Sequence, residues 1–288
     1  MSDPDIIVDT NNLRRSYQVG DEEVVAVNDV TLTIPSGRFI AVVGRSGSGK
    51  TTLLNLVAGL DKPTSGTILF QGNDISEMNE KDLTEIRRHK VGFVFQAFGL
   101  LPLLSAFENV ELPLRISGTG VREREERTRE ALSIVGLVGR ANHRPYELSG
   151  GEQQRVAIAR AIVTKPPLIL ADEPTGELDS SNASSIFGLF LEMVRDSGIT
   201  VVAATHDSTL LAMADQVNEM RDGQIVDQFE GSEISARMER AHSERYSVSA
   251  PVATMPDQEP LESQPEDEDN SLPETDQDQV NRFRRPGS

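Results

Sequence analysis

The apolar positions of this chain fall into short runs, and the spacing within and between those runs predicts the elements. From Ile6 to Ile34 apolar and polar residues alternate in β fashion on either side of a polar stretch, QVGDEEVV at 18–25, as in an antiparallel sheet. Phe39-Ile40-Ala41-Val42-Val43 is then wholly apolar and ends on Gly44, and comparable runs lie at Thr67–Phe70, Val91–Phe95, Leu168–Ala171 and Ile199–Ala204. A strand that is apolar throughout is buried on both faces, and helix-compatible stretches separate most of these runs. The pattern therefore predicts an α/β fold with a mainly parallel sheet covered by helices on both sides.

About seventy residues with little strand signal separate Phe95 from Leu168, and they include the charged helical pattern VREREERTREALSIVGL at 121–137. This interval reads as a helical subdomain, about 98–165, inserted into the sheet topology. A closing hairpin is expected between Val217–Met220 and Gln224–Gln228, because Arg221-Asp222-Gly223 carries the Asp-Gly turn signal. Beyond Gly231 the periodicity fades. Residues 6–231 are thus expected to form the folded domain, and 232–249 a connecting segment with a short helix at 237–246. Residues 250–288 form a Pro-, Glu-, Asp-, Gln- and Ser-rich tail with too little apolar surface to offset the entropy of ordering.

Charge sharpens that division. The 288 residues carry 28 Lys plus Arg against 46 Asp plus Glu, a formal net charge of −18. Ten acidic residues and no basic one lie between Ala250 and Asn281, which leaves only −8 for the rest of the chain. An acidic balance argues against a nucleic-acid partner or a general anionic-membrane surface, both of which select Lys/Arg-rich faces. There is no Cys, so disulfides, thiolate metal sites and a cysteine nucleophile are excluded, and a reducing compartment fits. The opening MSDPDIIVDT lacks the basic-then-apolar pattern of a secretion signal, and no run approaches the ~20 apolar residues of a membrane helix.

Three motifs carry chemistry. Gly44-Arg45-Ser46-Gly47-Ser48-Gly49-Lys50-Thr51 is a complete G-x-x-x-x-G-K-[ST] phosphate loop between a buried strand and the helical stretch beginning Thr51-Thr52. Its glycines let backbone N–H groups close around phosphate, and the helix N-terminus adds its positive dipole end. Lys50 is expected to reach the β and γ phosphates and the Thr51 hydroxyl to bind Mg²⁺. Asp172 and Glu173 end the apolar run Leu168–Ala171, where Asp172 suits the Mg²⁺ shell and Glu173 suits polarising the water that attacks phosphorus. Leu148-Ser149-Gly150-Gly151-Glu152 opens a helix and offers N–H groups and a hydroxyl to an anion, while ordinary helix capping by Ser149 is the alternative reading.

With these three motifs in this order, the chain resembles the nucleotide-binding subunits of ATP-binding-cassette (ABC) transporters over roughly residues 6–230. It departs from the commonest LSGGQ form in having Glu152 where many members have Gln. The resemblance implies the P-loop ABC-ATPase fold, with an N-terminal antiparallel β subdomain and an inserted helical subdomain. It implies ATP and Mg²⁺ as ligands, with Gln96 as the glutamine-loop residue at the metal, His206 as the switch histidine supporting Glu173, Asp179 in the loop that communicates across a dimer, and Tyr17 as the aromatic that stacks on adenine. It also implies a head-to-tail homodimer, in which Gly44–Thr51 of one subunit and Ser149–Glu152 of the other clamp one ATP, and a separate membrane permease docked beside Gln96 at the cytoplasmic face of the membrane.

Within the family, the stretches at 99–118 and 172–180 look closest to the group of lipoprotein-releasing, macrolide-exporting and cell-division ATPases. Phe98, Leu100, Leu101, Leu103 and Leu104 then divide between lining the permease groove and packing the subdomain core. A transmembrane signalling complex that gates a cell-wall hydrolase is the alternative to transport.

Overall fold

The computed structural model describes residues 5–234; the helix expected at 237–246 and the acidic tail from 250 lie outside the described residues. β1 (Ile6–Val19) and β2 (Glu22–Pro35) pair antiparallel across the turn Gly20-Asp21, from Val19 opposite Glu22 back to Ile6 opposite Pro35. β3 (Phe39–Val43) leads through the glycine-rich loop into α1 (Lys50–Val57), and β4 (Ser65–Phe70) and the short β5 (Asn73–Asp74) follow. Next come α2 (Glu80–Lys90) and β6 (Val91–Val94), and then α3 (Ala106–Ile116), α4 (Val121–Ile134) and α5 (Gly150–Ile162). The chain returns to the sheet with β7 (Leu168–Asp172), α6 (Ser180–Ser197), β8 (Thr200–Ala204), α7 (Ser208–Met213), β9 (Gln216–Arg221) and β10 (Gln224–Phe229).

The strands form two sheets, of order β2-β1-β4-β5 and β10-β9-β3-β8-β7-β6. In the six-stranded sheet β6, β7, β8, β3 and β9 run parallel, and only β10 is antiparallel, paired to β9 through the Asp222-Gly223 turn in which both residues have positive φ, 48° and 80°. The run Thr67–Phe70, grouped by its pattern with the parallel strands, pairs antiparallel with β1 instead, Val8 facing Phe70. Ile68 and Phe70 are buried while Thr67 is exposed, so this strand has one covered face. A run of four residues is too short for periodicity to show that difference.

The wholly apolar strands separate two cores. Phe39 and Ala41, Ile169 and Ala171, Val201 and Ala203 face helices α3 to α6 on one side. Their neighbours Ile40 and Val42, Leu168 and Leu170, Val202 and Ala204 face α1, β1, β2 and β4 on the other. Successive side chains point to opposite faces of a strand, so each residue added to such a run fills one core or the other.

The parallel strands align their carboxyl ends on one edge of the sheet. Gly44 follows β3, Gln96 lies two residues beyond β6, Asp172 is the last residue of β7, and His206 lies two beyond β8. Loops at this edge collect ligand-binding groups in open parallel sheets because all the crossover helices start there.

Candidate functional site

The glycine-rich loop is held open by parts of the chain remote in sequence. Gly49 has φ 102°, and a β-carbon there would overlap the carbonyl oxygen of Ala26. One at Gly44 would overlap the carbonyl of Met220. Gly223 donates its N–H to the Ser48 carbonyl at 3.0 Å while its own carbonyl accepts from Asn28 N–H at 2.8 Å, so the β9–β10 turn buttresses the loop from behind. Ala26 is the extra residue of a bulge in β2, where the β1 pairing steps from Ser16 opposite Val25 to Arg15 opposite Val27. Ala26 and Met220 carry no motif, and the Asp-Gly signal marks Gly223 as a turn residue without announcing that the turn braces the loop.

A cleft of about 710 Å³ lies over the loop, lined by residues 44–52 together with Ala26, Gln96, Glu173, Gly176 and His206. The buried Lys50 ammonium donates to the carbonyls of Gly44 at 2.8 Å and Arg45 at 3.2 Å and lies 3.8 Å from Oε1 of Glu173. The other carboxylate oxygen of Glu173 lies 2.9 Å from Nδ1 of His206. Glu173 takes the left-handed conformation, φ 46°, with its N–H bonded to the Ala204 carbonyl at 2.9 Å. A positive φ at a non-glycine residue is costly and is held by its surroundings, here β7 and β8. Behind it, Oδ1 of Asp172 is buried with no hydrogen-bond partner among the described residues. The Ser48 hydroxyl is likewise buried and unpartnered.

The remaining expected residues lie outside the lining of this cleft. Ser149 caps α5 in a reciprocal box: its hydroxyl accepts from Glu152 N–H at 3.3 Å, and the Glu152 carboxylate accepts from Ser149 N–H at 2.9 Å and from Arg140 at 3.1 Å. The Ser149 N–H holds the Glu152 carboxyl below its ordinary pKa. Gly150 leaves room against Leu178, Glu177 and Phe98, and a β-carbon on Gly151 would run into the Asn182 amide. Asp179 caps α6, accepting from Asn182 N–H at 2.9 Å and the Ser181 hydroxyl at 2.8 Å. The Asn182 N–H, followed by the Ser181 hydroxyl, lowers the Asp179 pKa from 3.8 to about 2.

Tyr17 stands at the β1–β2 hairpin with its hydroxyl donating to Asp61 at 2.6 Å. Gln96 is exposed beside Gly176, and the loop after it is stitched by a residue that no motif marks. The fully buried Asn109 accepts from Leu101 N–H at 2.8 Å and donates to the carbonyls of Leu101, Leu104 and Ser105. Among the five apolar residues of that loop, Leu100 packs on the core, whereas Leu101 and Leu103 remain exposed.

A glycine-rich loop at a helix N-terminus, one buried ammonium and a carboxylate bonded to a histidine suit a polyanion such as a nucleoside triphosphate. Comparison with known proteins agrees. The family model for ABC transporters matches residues 27–176. The ABC transporter ATP-binding protein YknY of Bacillus subtilis is 46% identical over 220 residues, which cover 76% of this chain and 95% of that protein. MacB of Hyphomonas neptunium, described as a macrolide export ATP-binding/permease protein, is 43% identical over 245 residues, 85% of this chain but 38% of that longer protein. Among solved structures, the dimeric post-hydrolysis state of the cassette MJ0796 bound to ADP and Pi, a protein of Methanocaldococcus jannaschii, superimposes with a TM-score of 0.73 at 42% identity over 77% of this chain and 98% of that one. Its fold, its phosphate-loop cleft and these relatives together establish that the chain belongs to the family of ABC transporter ATP-binding proteins, the ATP-hydrolysing subunits of those transporters.

Proposed function

We propose that this ATPase works as a head-to-tail homodimer at the cytoplasmic face of a membrane, driving a separate permease of the export or lipoprotein-release type. The observation that carries the reading is Glu173, one oxygen 2.9 Å from His206 and the other 3.8 Å from Lys50, at the mouth of the phosphate-loop cleft. In this reading the N–H groups of Gly44–Thr52 and the Lys50 ammonium bind and orient the triphosphate. Glu173 accepts a proton from the attacking water, and His206 fixes the carboxylate rotamer and faces the γ-phosphate. Water attacks phosphorus as the β–γ bridging bond breaks, giving ADP and phosphate.

Thr51, Asp172 and Gln96 would hold Mg²⁺. The set is all oxygen donors, and the unpartnered buried Oδ1 of Asp172 fits a role beside a cation. Among the described residues no group of three or more His, Asp or Glu side chains stands ready to hold a metal, which suits an ion bound mainly through substrate phosphates. Mg²⁺ would neutralise charge on the phosphate oxygens.

Ser149–Glu152 lie outside the phosphate cleft of their own chain, which supports their acting on the ATP of a partner subunit. No helix among the described residues is long and apolar enough to cross a membrane, and the exposed Leu101 and Leu103 beside Gln96 offer a surface for a permease segment. MacB and SyfD, at 43% identity, are named export ATP-binding/permease proteins, which supports the export direction. Glu173→Gln tests the core of this proposal. With ATP and Mg²⁺ it is expected to bind nucleotide normally, turn over ~10²–10⁴-fold more slowly and elute as a stable dimer. A monomeric Glu173→Gln protein with normal hydrolysis would overturn it.

A further inference from the structure

Tyr17 belongs to a closed cluster of three side chains. The Asp61 carboxylate accepts from the Tyr17 hydroxyl at 2.6 Å and from Arg15 Nε at 2.9 Å through Oδ2, and pairs with Arg15 Nη2 at 2.8 Å through Oδ1. The Arg15 guanidinium in turn lies 4.5 Å from the Tyr17 ring centroid, covering one face of the ring. Oδ1 also accepts the Lys62 N–H at 2.8 Å, so both carboxylate oxygens are occupied. The backbone is tied at the same place: Thr64 N–H donates to the Arg14 carbonyl at 2.8 Å and Ser16 N–H to the Thr64 hydroxyl at 3.1 Å.

Asp61 lies four residues beyond the end of α1 and is tied back to it, its N–H returning to the Asn55 carbonyl at 3.2 Å, and α1 begins with Lys50 of the phosphate loop. On the other side Tyr17 pairs with Val24, two residues from the cleft-lining Ala26, about 7 Å along the strand. The aromatic ring is therefore fastened to the helix that binds the phosphates, at a set distance from them, with one face shut.

We infer that Asp61, together with Arg15, is a positioning residue for the nucleotide base, holding Tyr17 as a one-sided stacking platform at a fixed distance from the phosphate loop. This rests on the proposed reading that the base stacks on Tyr17 while the phosphates occupy residues 44–52. A free tyrosine at a hairpin would lose rotamer entropy on each binding event, and the cluster makes that loss before the nucleotide arrives. The occupied carboxylate offers no edge-reading group, so stacking area sets the preference and purines are favoured over pyrimidines as a class.

The test is a titration of the full chain with ATP and, separately, with inorganic tripolyphosphate, which has no base. Losing the platform altogether, as in Tyr17→Ala, is expected to weaken ATP roughly five- to hundredfold. Asp61→Ala is expected to weaken ATP at least threefold and raise its KM in step, with kcat at saturation and tripolyphosphate affinity unchanged. Tyr17→Phe, which keeps the ring and loses the bond to Asp61, is expected to fall between wild type and Asp61→Ala, and guards against reading a folding defect as a binding one. Unchanged ATP affinity in Asp61→Ala beside a weakened Tyr17→Ala would overturn the inference alone. Equal weakening of ATP and tripolyphosphate in Asp61→Ala would also overturn it. Unchanged ATP affinity in Tyr17→Ala would instead remove the reading of Tyr17 on which it stands.

Discussion

His206 Nδ1 lies 2.9 Å from Oε2 of Glu173, although the imidazole is 76% exposed and the carboxylate only 18%. The less exposed partner is the one with left-handed backbone, fixed between β7 and β8, while the histidine projects toward solvent. Removing it leaves Lys50 as the remaining ion-pair partner of Glu173 among the described residues. His206→Ala is therefore expected to lower kcat by ~10²-fold or more while changing the ATP dissociation constant only a few-fold, as steady-state hydrolysis and equilibrium titration on one preparation would show.

Gly49 and Gly47 separate crowding from strain. Both have positive φ, 102° and 81°, but a β-carbon at Gly49 meets the Ala26 carbonyl and the Met220 methyl, whereas one at Gly47 meets nothing within 4 Å. Gly47→Ala should cost about 1–3 kcal/mol of backbone strain at most. Gly49→Ala must also displace β2 or Met220, so it should show the larger fall in melting temperature and should lose the thermal stabilisation that ATP gives the wild type.

The cap of α5 makes a prediction about the Glu at the family's variable position. Ser149→Ala removes the acceptor for the Glu152 N–H and should cost about 1 kcal/mol in urea denaturation. Glu152→Gln can still accept from the Ser149 N–H and should stay within roughly 0.5 kcal/mol. A large loss of stability in Glu152→Gln would mean that the charge facing Arg140 matters more than the cap.

Asp179 gives a pH dependence of known sign. Its pKa is lowered to about 2 in the folded protein from 3.8, so its capping contribution is complete above about pH 4 and fades as pH falls toward 2. Asparagine caps helices as well but does not titrate in this range. The stability difference between wild type and Asp179→Asn should accordingly be constant from pH 7 to about 5 and shift against the wild type below pH 4, read from denaturant midpoints at each pH.

The phosphate loop, Asp172-Glu173 and the Ser149 turn were legible in the sequence because each motif sits in a few consecutive residues whose backbone and chemistry are set locally. The alternation of two buried faces was legible for the same reason: Phe39 to Val43 and Leu168 to Ala171 admit no exposed side. What the sequence left open was which strand lies beside which. The run at 67–70 reads the same whether it joins the parallel sheet or pairs with β1, since a few apolar residues record burial and not the identity of the neighbour. Only the tertiary structure brings Ala26, Met220 and Gly223 against the phosphate loop, seats Asn109 under the loop that follows Gln96, and closes Asp61 on Tyr17 and Arg15. Apart from those of Asn109, whose partners lie four to eight positions away, these contacts join residues tens to nearly two hundred positions apart. They follow from how the two sheets pack, a property of the whole chain that no local spacing encodes.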